Sequence, residues 1–141
     1  MKKRFEDILI QLRNNDRSVK ELNLSYNNMG NQGVKHLSAA LKCNTNLINL
    51  NLAYNDIGEI GVNYLSKVLQ SNTSLTRLNL KYNLFDTESI GYLAEALKSN
   101  YTLLELKSID SDEIQIHLAK NKLIESCLPQ GLTYQDKMAV N

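Results

Sequence analysis

Apolar residues recur along this chain in a block that repeats every 28 residues. Aligning Val19, Leu47, Leu75 and Leu103 places Leu22, Leu50, Leu78 and Leu106 in one column, and Leu24, Leu52 and Leu80 in another. Met29, Ile57 and Phe85 follow, then Val34, Val62 and Ile90, then Leu37, Leu65 and Leu93, then Leu41, Leu69 and Leu97. The Leu-x-Leu pair alternates with period two, so one side of a short strand points into a core. Val34, Leu37 and Leu41 recur at helical spacing, so the second half of each unit is an amphipathic helix. Each unit therefore reads as strand, loop and helix, and successive strands stack in parallel. Neighbouring strands lie ~4.8 Å apart, whereas packed helices need ~8–10 Å. The stack must curve, with strands on its concave side and helices on its convex side. The expected fold is an α/β solenoid, a right-handed βα superhelix.

Smaller signals punctuate each unit. Gly30, Gly58 and Asp86 share a position in the connection, where a left-handed backbone is expected. Gly33, Gly61 and Ser89 are small where a helix is expected to approach the sheet closely. Asn44, Asn72 and Asn100 close the units and are expected to end helices in the left-handed conformation.

Both ends depart from the repeat, as solenoid ends do. Phe5, Ile8, Leu9 and Leu12 have the spacing of one helical face, which predicts a capping helix over residues 4 to 14. In the repeat frame this cap is a unit without its strand. The fourth unit starts with Leu103 and Leu106, yet Leu118-Ala-Lys-Asn121 arrives seven residues early. That predicts a short helix, with Asp110 and Glu113 forming a capping box at its start. Pro129 ends helical structure, and the tail from Gln130 is either mobile or folded over the last strand edge. The expected organisation is an N-terminal cap over 1–18, repeats over 19–46, 47–74 and 75–102, a truncated repeat over 103–121, and a C-terminal cap and tail over 122–141.

The pattern LxxLxLxxNxIGxxGxxxLxxxLxxN closely resembles the ribonuclease-inhibitor-like leucine-rich repeats, also found in NOD-like receptors and in the Ran GTPase-activating protein. The resemblance spans residues 19 to 121. It implies a leucine-rich repeat solenoid of about 3.5 repeats plus caps. It also implies a protein-binding role, because members of that family bind many unrelated proteins. Activation of a GTPase is the enzyme-related alternative, although no position here matches a motif that carries it. A self-associating scaffold built through the open solenoid ends is the structural one.

Composition narrows the function classes. Lys plus Arg (16) nearly balances Asp plus Glu (15), for a net charge of +1, which argues against nucleic acid and against an anionic membrane as partners. No apolar stretch approaches the ~20 residues of a membrane span, and Glu6 and Asp7 break what could otherwise begin a secretory signal. Two cysteines, Cys43 and Cys127, are too few for a disulfide framework and stand about three repeats apart. A cytoplasmic protein is the default expectation. Abundant Asn, with twelve Lys to four Arg, suggests an AT-rich genome, which is compatible with a bacterial protein delivered to a host cell.

Candidate chemistry is sparse. His36 and His117 are nearly three repeats apart, and no P-loop, GxSxG or HExxH occurs. Asp110, Asp112 and Glu113 lack the twelve-residue calcium loop and read as helix-capping residues. No cofactor, metal, small-molecule substrate or catalytic activity is expected. The Asn27, Asn55 and Asn83 column reads as a structural ladder, because a stacked amide donates and accepts at once. What remains is the strand face that looks away from the core. It carries Glu21, Asn49, Arg77 and Glu105, then Asn23, Asn51, Asn79 and Lys107, then Ser25, Ala53, Lys81 and Ile109. Tyr26, Tyr54 and Tyr82 stand in register just beyond. Tyr is favoured at interfaces for its area and polar tip. Such tyrosines also shield a sheet edge by stacking on one another. The expected site for a protein partner is Tyr26, Tyr54, Tyr82, Asn23, Asn51, Asn79, Arg77, Lys81 and Lys107.

Overall fold

A computed structural model describes residues 3–108 and 110–128. The chain opens with α1 (Phe5–Arg13), then alternates β1 (Glu21–Asn23), α2 (Gly30–Leu41), β2 (Asn49–Asn51), α3 (Glu59–Ser71), β3 (Arg77–Asn79), α4 (Thr87–Leu97), β4 (Glu105–Lys107) and α5 (Asp112–Cys127). The four strands form one parallel sheet in the order β1-β2-β3-β4. Leu22, Leu50, Leu78 and Leu106 lie opposite one another across it, so consecutive strands are offset by one whole repeat. This is a leucine-rich repeat solenoid.

The core lies between sheet and helices. Leu47, Leu50 and Leu52 from the second strand region meet Leu37, Leu41, Leu65 and Leu69 from the helices, all buried. Leu78, Leu80 and Leu93 continue the same layer. In α1, Leu9 and Leu12 are buried while Phe5 and Ile8 are only partly covered. The edge position shows in the strand column too, since Leu22 is half-buried where Leu50 is fully enclosed.

Four local expectations need correction. Left-handed backbone is not a property of the Gly30, Gly58 and Asp86 column. Gly30 has φ +60°, but Gly58 (φ −99°) and Asp86 (φ −122°) are extended helix N-caps. The turn is made earlier, by Tyr26, Tyr54 and Tyr82, with Asn28 and Asp56. Nor do the helix-end asparagines turn left-handed. None of Asn44, Asn72 and Asn100 is among the positive-φ residues, and Asn72 is extended. Each is instead a buried bracket. Asn72 Oδ1 accepts from the Ser74 and Leu75 N–H groups, and its Nδ2 donates to the Asn44 carbonyl one unit back.

The last helix is the third correction. Its N-cap is Ser111, whose Oγ accepts from the Ile114 N–H, so Asp110 does not cap it. The fourth concerns length. The connection before α5 runs 108–111 where that before α4 runs 80–86, so three residues are lost there. Thr87 precedes Asn100 by thirteen residues and Asp112 precedes Asn121 by nine, which accounts for the other four. Yet α5 is not short, because it continues past Asn121 to Cys127. That continuation isolates an atom. The N–H groups after Asn121 are committed to the helix, so its buried Oδ1 has no partner among the described residues, while Nδ2 donates to the Asn100 and Leu103 carbonyls.

Gly33 and Gly61 are small for a reason more local than the sheet. A Cβ on Gly61 would collide with the Ile57 side chain and with Asn31 Oδ1, and one on Gly33 would collide with Met29. They make room for the loop residue that plugs each unit. Ile109 and the tail from Pro129 lie outside the described residues.

Candidate functional site

The tyrosine row follows from how each strand ends. After the inward Leu24, Leu52 or Leu80, the chain must leave the sheet and cross to its helix. Asn23 Oδ1 accepts from the Ser25 N–H, Asn51 Oδ1 from Ala53, and Asn79 Oδ1 from Lys81. Each bond closes a local turn of the kind Asn favours. The next residue, Tyr, then adopts φ between +55° and +59°. This conformation is uncommon for a bulky residue, and neighbouring units hold it. Tyr26 N–H donates to the Ala53 carbonyl, and Tyr54 N–H to that of Lys81.

Beneath the row runs the second asparagine column. Asn55 Oδ1 accepts from the Asn27 and Met29 N–H groups of the preceding unit. Its Nδ2 donates back to the Leu24, Leu52 and Ala53 carbonyls. Asn83 repeats the arrangement with the Asn55 and Ile57 N–H groups and the Leu52 and Leu80 carbonyls. These amides are fully used in joining units, so they are unavailable to a ligand.

The rings above them stack with centroids 4.3 Å apart, Tyr26 on Tyr54 and Tyr54 on Tyr82, inclined by 12° and 16°. They nevertheless remain open to solvent, at 71% for Tyr26, 40% for Tyr54 and 65% for Tyr82. Packing on one another and offering a surface are both observed. The neighbouring Tyr26 hydroxyl, then lost hydration within the row, push the Tyr54 phenol up to about 12. Since this folded value exceeds the usual 10, the row is intact below pH 10 and weakens as pH rises from 10 through 12. Alkaline titration followed by phenolate absorbance should therefore show a late-ionising component that Tyr54→Phe removes. Tyr92, whose hydroxyl donates to Glu59 Oε1 at 3.1 Å, is also shifted upward and must be distinguished by its own Phe variant.

On the concave face a groove of 220 Å³ brings together Asn49, Asn51, Arg77, Asn79, Glu105 and Lys107 over Leu78. Lys107 Nζ lies 3.2 Å from Glu105 Oε1, so that cation is partly neutralised. Arg77 makes no ion pair among the described residues. Asn51 and Asn79 have each spent the side-chain oxygen on the local turn. Lys81 and the tyrosines do not line this groove. Asn23 lies away from it, on the open side of β1. Ala53, expected on the outward face, is in fact buried.

The histidines and cysteines assemble no site among the described residues. His36 is exposed on α2, His117 is half-buried on α5, and Cys43 and Cys127 are exposed free thiols. The acidic residues that converge join Asp86, already marked by its place in the repeat, to Glu59 and Glu88, which the repeat pattern did not single out. Carboxylate oxygens of Glu59, Asp86 and Glu88 lie within 4.8 Å of one another. Asp86 there caps α4 by accepting from the Ser89 N–H and Oγ, which holds it below the usual carboxylate range. No helix among the described residues is long and apolar enough to cross a membrane.

With this geometry in view, the relatives can be placed. Comparison with curated protein sequences gives no match. Among solved structures, the tropomodulin C-terminal domain of Caenorhabditis elegans superposes with a TM-score of 0.68 at 16% identity, over 88% of this chain and 96% of that one. A structure described as leiomodin-1 actin-binding site 2 superposes with a TM-score of 0.70 at 20% identity, over the full length of both chains. At such identities the likeness is one of fold. The family model described as the TMOD/LMOD leucine-rich domain matches residues 2–129, nearly the whole chain, and this protein belongs to that family.

Proposed function

We propose that this domain is a non-catalytic protein-recognition module, that it binds through the concave strand face and the tyrosine row, and that actin is its partner. The observation that carries the surface assignment is the solvent-open row of Tyr26, Tyr54 and Tyr82 standing in register. Support for actin comes from membership in the TMOD/LMOD family and from the description of the leiomodin-1 structure as an actin-binding site. Tyr54 and its neighbours offer aromatic area, Arg77 a cation with no ion pair among the described residues, and Asn51 and Asn79 side-chain amides in the same groove, a mixture common in binding hot spots. Four strands at ~4.8 Å span roughly 15–20 Å, which suits a modest contact within a larger assembly. The repeat motif itself supports a ribonuclease-inhibitor-like class of leucine-rich repeat, and the two exposed thiols support a reducing, cytoplasmic setting.

Binding to monomeric and filamentous actin, measured by interferometry and co-sedimentation, tests this reading. Tyr54→Ala should weaken binding by more than ~1 kcal/mol, about fivefold or more, and leave the melting curve nearly unchanged. Lys67→Ala, on the helical side, should alter neither. Absence of any binding to either form of actin would remove actin as the partner. Binding lost in Lys67→Ala but kept in Tyr54→Ala would move the site to the helices.

A further inference from the structure

The N-terminal end of the solenoid is an unfinished repeat. Helix α1 packs against α2 as each later helix packs on its neighbour, but no strand among the described residues stands beside β1 on that side. A cavity of about 640 Å³ lies in the strand's place, between α1 and β1. Phe5, Ile8, Val19, Leu22 and Met29 form its apolar lining, all only partly covered. At its mouth Lys3 Nζ donates to Gln11 Oε1 at 2.6 Å, and Gln11 Nε2 to Asp16 Oδ2.

The hydrogen-bonding groups around this slot match those that join units elsewhere. Strand β2 meets β1 through the Ile48 and Asn49 N–H groups, which donate to the Lys20 carbonyl, and through the Asn51 and Ala53 carbonyls, which accept from Leu24 and Tyr26. One repeat earlier, the equivalents are the N–H groups of Lys20 and Glu21 and the carbonyls of Asn23 and Ser25, and no strand lies opposite them. The asparagine ladder is unfinished in the same way. Asn55 and Asn83 each accept two N–H groups from the preceding unit, whereas Asn27 has no preceding unit to supply them. Its Nδ2 bonds only carbonyls of its own unit, Leu24 and Ser25.

We propose that this slot binds an extended segment of a partner protein, which adds a fifth strand parallel to β1 and turns alternate apolar side chains onto the α1 wall. Strand addition at an open sheet edge is an established mode of peptide recognition, with main-chain bonds giving affinity and side-chain pockets giving selectivity. The repeat rule defines the segment's pattern, Leu-x-Leu followed three and five residues later by backbone N–H groups that reach Asn27 Oδ1. A folded second copy does not fit. Its β4 edge could enter only by bringing its α5 into the space that α1 fills. The occupant is therefore a bare strand. The last described residue, Leu128, caps α5, which follows β4 at the opposite end of the sheet.

The test uses the full-length protein, isotope-labelled for NMR, titrated with a synthetic peptide of residues 45–58, which carries Leu50, Leu52, Asn55 and Ile57 in this pattern. Saturable shifts confined to residues of α1, β1 and the turn through Met29 are expected. In the peptide, Leu50→Asp with Leu52→Asp should reduce affinity at least about tenfold. In the protein, Glu21→Pro removes only an outward N–H from an edge strand, and should weaken binding by a similar factor without moving the melting temperature. Three results would overturn the proposal. One is no saturable shift up to about 1 mM peptide, a binding free energy near −4 kcal/mol. Another is equal binding by the doubly substituted peptide. The third is tighter binding at the same residues by a peptide of residues 129–141, which would make the slot a contact with this chain's own tail.

Discussion

Leu50→Ala is expected to lower stability by ~2–5 kcal/mol and to unfold the array as a whole. Leu50 is fully enclosed on β2, an interior strand of the sheet, in the layer formed by Leu47, Leu52, Leu65 and Leu69. Removing its isobutyl group loses the transfer energy of the buried carbons. It also leaves a cavity, because units on both sides hold the backbone in place. A repeat array is stabilised through nearest-neighbour interfaces, and only three full units and two caps share the load here. Leu78→Ala, buried at the equivalent position, should cost a similar amount. Leu22→Ala should cost clearly less, since Leu22 stands half-buried at the open edge. Urea melts followed by far-UV circular dichroism provide the check. A loss under about half a kcal/mol for Leu50→Ala would contradict its place in the core.

Much of this architecture is legible in the sequence because the repeat states each rule several times. One Leu-x-Leu is an ambiguous strand, whereas three in register determine both the face and the neighbour. What the pattern obscures is backbone conformation inside a column. Glycine is the usual marker of a left-handed residue, which holds at Gly30 but not at Gly58 or Asp86, while Tyr26, Tyr54 and Tyr82 take that conformation without it. The tyrosines tolerate φ > 0 because cross-unit bonds hold them there, a tertiary effect that no local propensity shows. Asn72 was misplaced for a related reason. Asn is common both as a left-handed cap and as an amide bracket, and only the hydrogen bonds to Ser74 and Leu75 separate the two. In the fourth unit, early arrival of Asn121 shortens the path to the bracket, but says nothing of α5 running on to Cys127.

The concave face was legible as a set of outward positions, although their proximity was not. Period two places Arg77, Asn79 and Lys107 on one side of the sheet, and the groove gathers them. It could not show that Lys107 pairs with Glu105, or that Asn51 uses its oxygen on the Ala53 N–H. Half of what had looked like ligand-binding amides is local turn structure. The missing first strand was visible in the alignment as a cap with helix residues only. Its consequence, a sheet edge with no strand beside it among the described residues, needed the geometry.

Asn55→Ala should cost about 3 kcal/mol, the upper end of the ~1–3 kcal/mol for leaving one buried polar group unpaired. Five bonds meet at this one amide. Its oxygen takes the N–H groups of Asn27 and Met29, and its nitrogen serves the carbonyls of Leu24, Leu52 and Ala53. The side chain is fully buried, so water cannot replace what is lost, and Ala takes the acceptor from two N–H groups of the preceding unit at once, Asn27 and Met29, while the three carbonyls keep the Asn27, Asn83 and Tyr26 donors. Because the effect depends on position in the ladder, its gradient is the sharper test. Asn83, half-buried, should cost less, and Asn27, exposed at the first rung with bonds only inside its own unit, about 1 kcal/mol or less. Asn51→Ala gives up a single bond to the Ala53 N–H at a partly exposed site, and should resemble Asn27→Ala. Equal losses for Asn55, Asn27 and Asn51 in denaturant melts would mean that the column does not join the units. A loss concentrated in Asn55 would identify the amide ladder as the bond between repeats, and would explain why so short a solenoid holds its tyrosine row in register.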